Sequence, residues 1–297
     1  MKNKAWTEKF MQGVFFTSAC ASVLAVALIC VFLFANGVPA MKEVGFIEFL
    51  RGELWRPGND IFGIFPMIIG SLYVTAGAIL FGVPVGIMTS VFMAFYCPKA
   101  IYKPLKSVTE LLAGIPSVVY GFFGLVVLVP AVREMGRTFK NLGILRQSGN
   151  GSNILTASLL LGMMILPTII GLTESSLRAV PTQYYEGAVA LGATHERAIF
   201  RVVLPAARSG VIAAIVLGVG RAIGETMAVI MVAGNQARMP SGIFKGVRTL
   251  TANIVIEMGY ATGLHRETLI ATGVVLFIFI LVINFSVAFL NRRNQHE

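Results

Sequence analysis

Two charges stand inside an otherwise apolar run that extends from Ser209 to Ala237: Arg221 and Glu225. A charge near the centre of a membrane helix costs ~2.5–3.5 kcal/mol on insertion scales, so such residues persist only where they have work to do. Spaced four apart, they share one face of a continuous helix and can pair. The planar guanidinium fork suits tetrahedral oxyanions. Two readings follow: Arg221, Glu225 and the neighbouring Thr226 line a path for an anion, or the two charges form a self-neutralising structural pair. A second candidate stretch is Gly114-Ile115-Pro116-Ser117, which can present backbone groups and the Ser117 hydroxyl. Pro116, like Pro84 and Pro167, interrupts an apolar run and is expected to kink it, as packing or as a hinge. No glycine-rich loop ends in Gly-Lys-Ser/Thr, and no nucleophile or acid–base constellation occurs. Three cysteines without zinc-ligand spacing exclude a disulfide framework. His195, His265 and His296 lie in or beside loops and read as solvated, while Glu110 and Glu174 read as interfacial anchors.

The elements that must position these residues are membrane helices. Of 297 residues, 56% are hydrophobic and only 13% are charged, with a mean hydropathy of +0.79; a soluble chain carries about 25% charged residues. The net charge of +10 comes from Lys and Arg lying between apolar runs, which is no nucleic-acid signature. Charge-free runs cover Phe10–Met41, Ile61–Pro98, Leu111–Val132, Gln147–Thr173 and Thr268–Asn291. Each exceeds the ~20 residues an α-helix needs to cross the hydrocarbon core. With the Arg221 run they make six spans, expected near 13–35, 66–95, 108–130, 154–176, 207–233 and 268–290. Strand alternation is absent, and lipid-facing irregular backbone would leave peptide groups unpaired. The fold class is therefore all-α and polytopic, with six transmembrane helices.

The first run follows Lys2, Lys4 and Lys9, but it is too long for a secretory h-region of about 7–15 residues and reads as a retained anchor. Six spans place both termini on one side. Counting Lys and Arg barely separates the sides, the clearest inner marker being the loop Cys97–Lys106 with Lys99, Lys103 and Lys106. The outer loops also carry excess positive charge, which an anionic solute or plain solvation explains equally well. Gly70, Gly77, Gly82 and Gly86 suit close helix packing, expected against a partner chain. The domain reading is an N-terminal unit at 1–65, a five-helix core at 66–290 and a tail at 291–297.

Between the fourth and fifth spans lies the one inner loop long enough to fold, residues 178–208. Pro181 suits the first turn of a helix through Glu186 to about Leu191, and Gly192 allows a sharp turn. Thr194 can cap a second helix with Arg197 and Arg201 on one side and Ile199, Val202 and Val203 on the other, ending at Leu204-Pro205. Two short helices joined at a glycine make either a rigid knob for a partner's groove or a hairpin lying on lipid.

The spacing Glu186-Gly187-Ala188, Gly192, Val202, Leu204-Pro205 resembles the signature loop of bacterial ABC importer permeases, with Gly187 for Ala and Val202 for Ile as departures. Three further stretches resemble the phosphate-uptake permeases, most closely the PstC kind: Glu110 to Gly121, Gly220-Arg221-Ala222-Ile223-Gly224-Glu225-Thr226, and Leu250 to Ile254 with His265. The Arg-Ala-Ile-Gly-Glu-Thr element is shared with the PstA kind. This resemblance implies a type I (MetI-like) permease fold and a multi-pass subunit of the bacterial cytoplasmic (inner) membrane with both termini cytoplasmic. It implies a coupling loop at about 178–205 seated in an ATPase. The implied partners are a second, PstA-like permease, two ATPase subunits that hold ATP and Mg, and an extracytoplasmic phosphate-binding protein. No cofactor is expected in this chain, and no catalysis. Competing readings are a permease for sulfate, molybdate or an organic anion, and a secondary transporter that needs no ATPase.

Overall fold

The computed structural model describes residues 2–143 and 149–293, with the side chains of 8–143 and 149–285. Gln147, His296 and the end of the 291–297 tail lie outside the described residues. Helix α1 (Lys2–Val44) is followed by the short α2 (Phe46–Arg51) and a two-stranded hairpin, β1 (Trp55–Arg56) and β2 (Ile61–Phe62), antiparallel with Trp55 opposite Phe62. Helix α3 (Phe65–Val91) continues as a π-turn to Tyr96. Then come α4 (Lys99–Gly114), α5 (Ser117–Phe123), α6 (Val129–Asn141) and α7 (Ile154–Arg178). The loop after α7 contains α8 (Thr182–Ala190), α9 (His195–Ala198) and α10 (Leu204–Ala206). The chain ends through α11 (Arg208–Gly224), α12 (Met227–Val232), α13 (Leu250–Met258) and α14 (Gly263–Arg293).

Five helices among the described residues are long and apolar enough to cross a membrane: Glu8–Val44, Phe65–Tyr96, Ser117–Asn141, Ile154–Arg178 and Gly263–Phe285. The count reaches six if His195–Ala206 and Arg208–Gly224, which pass the same test only together and are bent by 70° between them, make one span. The third span differs from expectation. The run at 108–130 is broken at Ile115, and the crossing helix is Ser117–Asn141. Proline at 116 disfavours helical backbone in its predecessor, and Ile115 is extended at φ −68°, ψ 127°. The residues before it form the separate amphipathic helix α4, which buries none of its side chains. By contrast Pro84 and Pro167 remain inside continuous helices.

At the centre, α3 packs on α7. The glycines expected to meet a partner chain instead face this same chain. A Cβ at Gly82 would come within 2.8 Å of the Gly162 carbonyl oxygen, and one at Gly86 within 2.7 Å of Ile169. Gly77 faces Ser158, and Gly70 faces Val247. Lipid supplies no hydrophobic force between helices, so close approach and interhelical hydrogen bonds must hold them. Ser158 Oγ donates to Val74 O at 3.2 Å and Ser90 Oγ to Ile170 O at 3.2 Å. Gly82→Val should therefore separate α3 from α7 and lower stability by roughly 3 kcal/mol, the upper range for overpacking. Thermal unfolding in detergent would measure it; an unchanged midpoint would mean that the contact yields freely.

Candidate functional site: the two helix breaks

Two interruptions lie side by side. One is Ile115-Pro116, between α4 and α5; the other is Glu225-Thr226, between α11 and α12. Helices α5 and α12 pack together so closely that a Cβ on Gly121 would reach 3.0 Å from the Ala228 Cα. Tyr120, on α5, is buried and donates its hydroxyl to Leu112 O at 2.9 Å, tying the first break closed. The second break forms where Gly220 and Gly224 weaken the helix. Glu225 is extended at φ −69°, ψ 131°. Its carboxylate then accepts from the Ala228 backbone N–H at 3.2 Å, satisfying an otherwise orphaned donor of α12. Thr251 Oγ1, from α13, donates to the Glu225 carbonyl at 3.1 Å, and Thr226 Oγ1 turns back to Gly224 O at 3.2 Å.

This overturns the expected Arg221–Glu225 pair. The four-residue rule requires unbroken helix, and α11 ends at Gly224. Among the described residues Arg221 has no ion-pair partner; its Nη1 donates to Thr168 Oγ1 on α7 at 3.1 Å. Arg221 and Thr226 are half-buried, as is Ser117, while Pro116 is exposed as the N-cap of α5. Arg221 is thus a half-buried guanidinium with donors to spare, beside the Thr168 hydroxyl and one turn before the second break. Such a set can hold an oxyanion by charge-assisted hydrogen bonds.

The loop 178–208 is folded much as its sequence dictates. Gly192 turns at φ +86°, and Thr194 caps α9 by accepting from the Arg197 N–H at 3.4 Å. Ile199 and Val203 are buried against Val91, Leu177 and Val211. Val202 is half-buried and Leu204 packs on the same cluster, whereas Arg197, Arg201 and Pro205 are exposed. Glu186 and Gly187 are also exposed, and Ala188 is half-buried.

Three residues read as solvated or interfacial are not so. His195 Nδ1 hydrogen-bonds the Tyr185 hydroxyl at 2.8 Å, with the Tyr96 ring 4.9 Å away. Glu174 is 3% exposed and accepts from the Tyr102 hydroxyl at 2.6 Å and Arg178 Nε at 2.8 Å. The Tyr102 hydroxyl in turn accepts from Lys106 at 3.3 Å, and this bond, assisted by the Glu174 charge, holds the Lys106 ammonium above its ordinary pKa. His265 belongs to a network on the opposite side of the molecule, around Glu257. That carboxylate accepts from Trp55 Nε1 at 2.8 Å and Arg248 Nη1 at 2.5 Å, and bonds His265 Nε2 at 2.8 Å. Glu257 lies three residues past the Leu250–Ile254 stretch, and nothing in the sequence marks it, because Trp55, Arg248 and His265 reach it from other elements.

The family described as "Binding-protein-dependent transport system inner membrane component" matches residues 82–296. The chain is 37% identical to the probable ABC transporter permease protein YqgH of Bacillus subtilis (strain 168), covering 93% of this chain and 90% of that one. It is 35% identical to the phosphate transport system permease protein PstC of Mesorhizobium japonicum, covering 90% and 85%. With the same-named protein of Haemophilus influenzae it shares 32% over 93% and 90%. Its fold is similar to that of the inward-facing MetNI methionine ABC transporter, with a TM-score of 0.57 and 19% identity over 81% of this chain and 99% of that one. A bacterial ABC transporter that imports the acidic polysaccharide alginate aligns with a TM-score of 0.57 and 15% identity, covering 94% and 98%.

Proposed function

The chain belongs to the family of binding-protein-dependent transport system inner membrane components, and we propose that it is the PstC-type permease subunit of an ATP-driven phosphate importer. Membership in this family sets aside the secondary-transporter reading and makes the chain a transport subunit of multi-pass membrane type. Relatives named for phosphate transport, aligned along nearly the whole chain, support the solute assignment. The observation that carries the reading into this structure is Arg221, a half-buried cation without a carboxylate partner at a broken span. An anion passing the two breaks would meet Arg221 and Thr226 at one of them and Ser117 with the opened backbone at Pro116 at the other.

In this reading the 178–205 loop enters a groove of an ATPase subunit on the cytoplasmic side, where both termini also lie. ATP and Mg are bound by that partner. Two such ATPases need two loops, so a second, PstA-like permease supplies the other half of the path, and an extracytoplasmic binding protein delivers phosphate. Nucleotide-driven closure of the ATPases draws the loops together and opens the path outward. The nearest rival is an importer of the same architecture for another oxyanion, such as sulfate. Uptake of radiolabelled phosphate against sulfate by the reconstituted four-subunit complex decides between them. Accumulation of sulfate without phosphate would overturn the assignment.

A narrower result is expected at Gly192, whose positive φ disfavours side chains but tolerates Asn better than most. Gly192→Val should leave the chain inserted but uncouple ATP hydrolysis from uptake, whereas Gly192→Asn should retain most of the transport. Equal transport by both variants would mean that the turn has no part in coupling.

A further inference from the structure

The loop 178–208 is attached to the membrane helices unevenly. Its second half packs through Ile199 and Val203. Its first helix, α8, buries no residue. Between α8 and the helix ends lies a cavity of about 380 Å³, lined among others by Phe95, Arg178, Thr182, Tyr185 and His195. Apolar packing alone therefore does not seat α8; one polar contact on the rim of this cavity ties it to the second half of the loop, and a second group of contacts fixes the end of α7 from which the loop springs.

At the first, His195 joins the two halves of the loop by its hydrogen bond to Tyr185, and the Tyr96 ring at the end of the α3 π-turn stands edge-on to it. At the second, Arg178 closes the last turn of α7. Its Nη2 donates to Met93 O at 3.0 Å, its Nε to Glu174 at 2.8 Å, and its guanidinium stacks 4.8 Å from the Tyr102 ring. The Met93 carbonyl lies in the π-turn, where the ordinary helical ladder is interrupted and a carbonyl is open to outside donors. Tyr102 sits on α4, and its hydroxyl shares Glu174 with Arg178. Helix α4 buries no side chain, so this polar junction is its firm hold on α7. Its other end, Gly114, opens directly into the Ile115-Pro116 break.

We propose that Arg178 and His195 are positioning residues that clasp the loop to the inner ends of α3 and α7, and that Tyr102 carries its displacement along α4 to the Pro116 break. The inference rests on the importer reading for its purpose but not for its geometry. The loop, the end of α3 and α4 move as one body when a partner pulls α8. That movement bears on Ile115 and Pro116 through the 13 residues from Tyr102 to Gly114, one helical lever that runs on through Pro104 and spans about 18 Å at ~1.5 Å per residue. The Tyr120 hydroxyl on Leu112 O is the bond the lever must strain or carry with it.

The experiment uses the complete complex in proteoliposomes, with Cys20, Cys30 and Cys97 replaced by Ser. Spin labels at Leu191→Cys and Val108→Cys, both exposed, report the distance from loop to α4 with and without ATP. The clasp predicts one narrow distance in both states of the otherwise unsubstituted complex, and a broadened one in Arg178→Gln and in Tyr102→Phe. Uptake per ATP hydrolysed should fall about tenfold in both variants while hydrolysis continues. His195→Asn, whose side-chain oxygen can take the place of Nδ1, should restore what His195→Leu loses. A loop-to-α4 distance that changes with nucleotide in the unsubstituted complex would overturn the proposal. So would wild-type uptake per ATP in Arg178→Gln. If the unsubstituted complex imports no phosphate, the importer assignment fails, and the distance measurement still decides the clasp.

Discussion

Arg221→Gln should lower phosphate uptake by a factor of roughly 10 to 150 while the subunit still inserts and assembles. The range corresponds to ~1.5–3 kcal/mol for a hydrogen bond to a charged group lost at the step where the anion passes. Arg221→Lys should fall between, since an ammonium keeps the charge but loses the fork. The geometry separates this effect from that of Glu225, because the two side chains serve different partners. Arg221 bonds Thr168, and Glu225 bonds the Ala228 N–H. Glu225→Gln keeps an acceptor for that N–H and should transport nearly normally. Glu225→Leu removes the acceptor, loosens α12 by ~0.5–2 kcal/mol and should impair transport through the shape of the break. The double variant Arg221→Leu with Glu225→Gln, which keeps the acceptor that shapes the break, distinguishes path from scaffold. A self-neutralising pair would tolerate the change, as buried pairs often do; a path-lining arginine would not. Uptake at the wild-type rate in that double variant would leave Arg221 without a role in transit.

The sequence disclosed the spans because a charge-free run of sufficient length has few other uses, and it disclosed the turn at Gly192 because glycine and a capping threonine carry local backbone information. It hid the two breaks. Hydropathy is blind to whether an apolar run is one helix or two, and Leu111–Val132 is apolar across the Pro116 interruption. The signs were present in Gly114 and Pro116, and in the spacing of Gly220 and Gly224, but each is also compatible with a kink. The Arg221–Glu225 spacing misled for the same reason: four residues mean one face only while the helix continues. Glu174, His195 and His265 were hidden differently. Their partners Tyr102, Tyr185 and Glu257 stand in other elements, and the one local sign, Arg178 four residues after Glu174, is equally at home on a solvated helix face. The glycines of α3 announced close packing, and only the fold reveals that Gly77, Gly82 and Gly86 meet α7 and Gly70 meets Val247.

Glu257→Leu should destabilise the subunit by about 3–5 kcal/mol, the usual consequence of removing one partner of a buried ion pair and leaving the other charged. The side chains of Glu257, Arg248 and His265 are 7%, 16% and 15% exposed. Three donors from three separate elements converge on the one carboxylate. Trp55 comes from the β1–β2 hairpin, Arg248 from the segment before α13 and His265 from the start of α14. Arg248 also donates to Asn253 Oδ1 at 3.0 Å and to the Asn235 carbonyl at 3.1 Å. Strands of two residues each do not hold together in water unaided, so the hairpin depends on the Trp55 anchor and on the packing of Phe62 beneath it. Glu257→Gln, which keeps one acceptor but not the charge, should cost less than Glu257→Leu. Combining Glu257→Leu with Arg248→Met should cost less than the sum of the single changes, because the second substitution removes the charge that the first strands. Thermal unfolding in detergent gives the order of the variants. Trypsin accessibility at the exposed Arg51, next to the hairpin, reports whether the hairpin loosens before the helices separate. If Glu257→Leu unfolds within about 0.5 kcal/mol of wild type, the size of an ordinary surface change, the three donors are satisfied elsewhere and the carboxylate does not organise the hairpin and the start of α14.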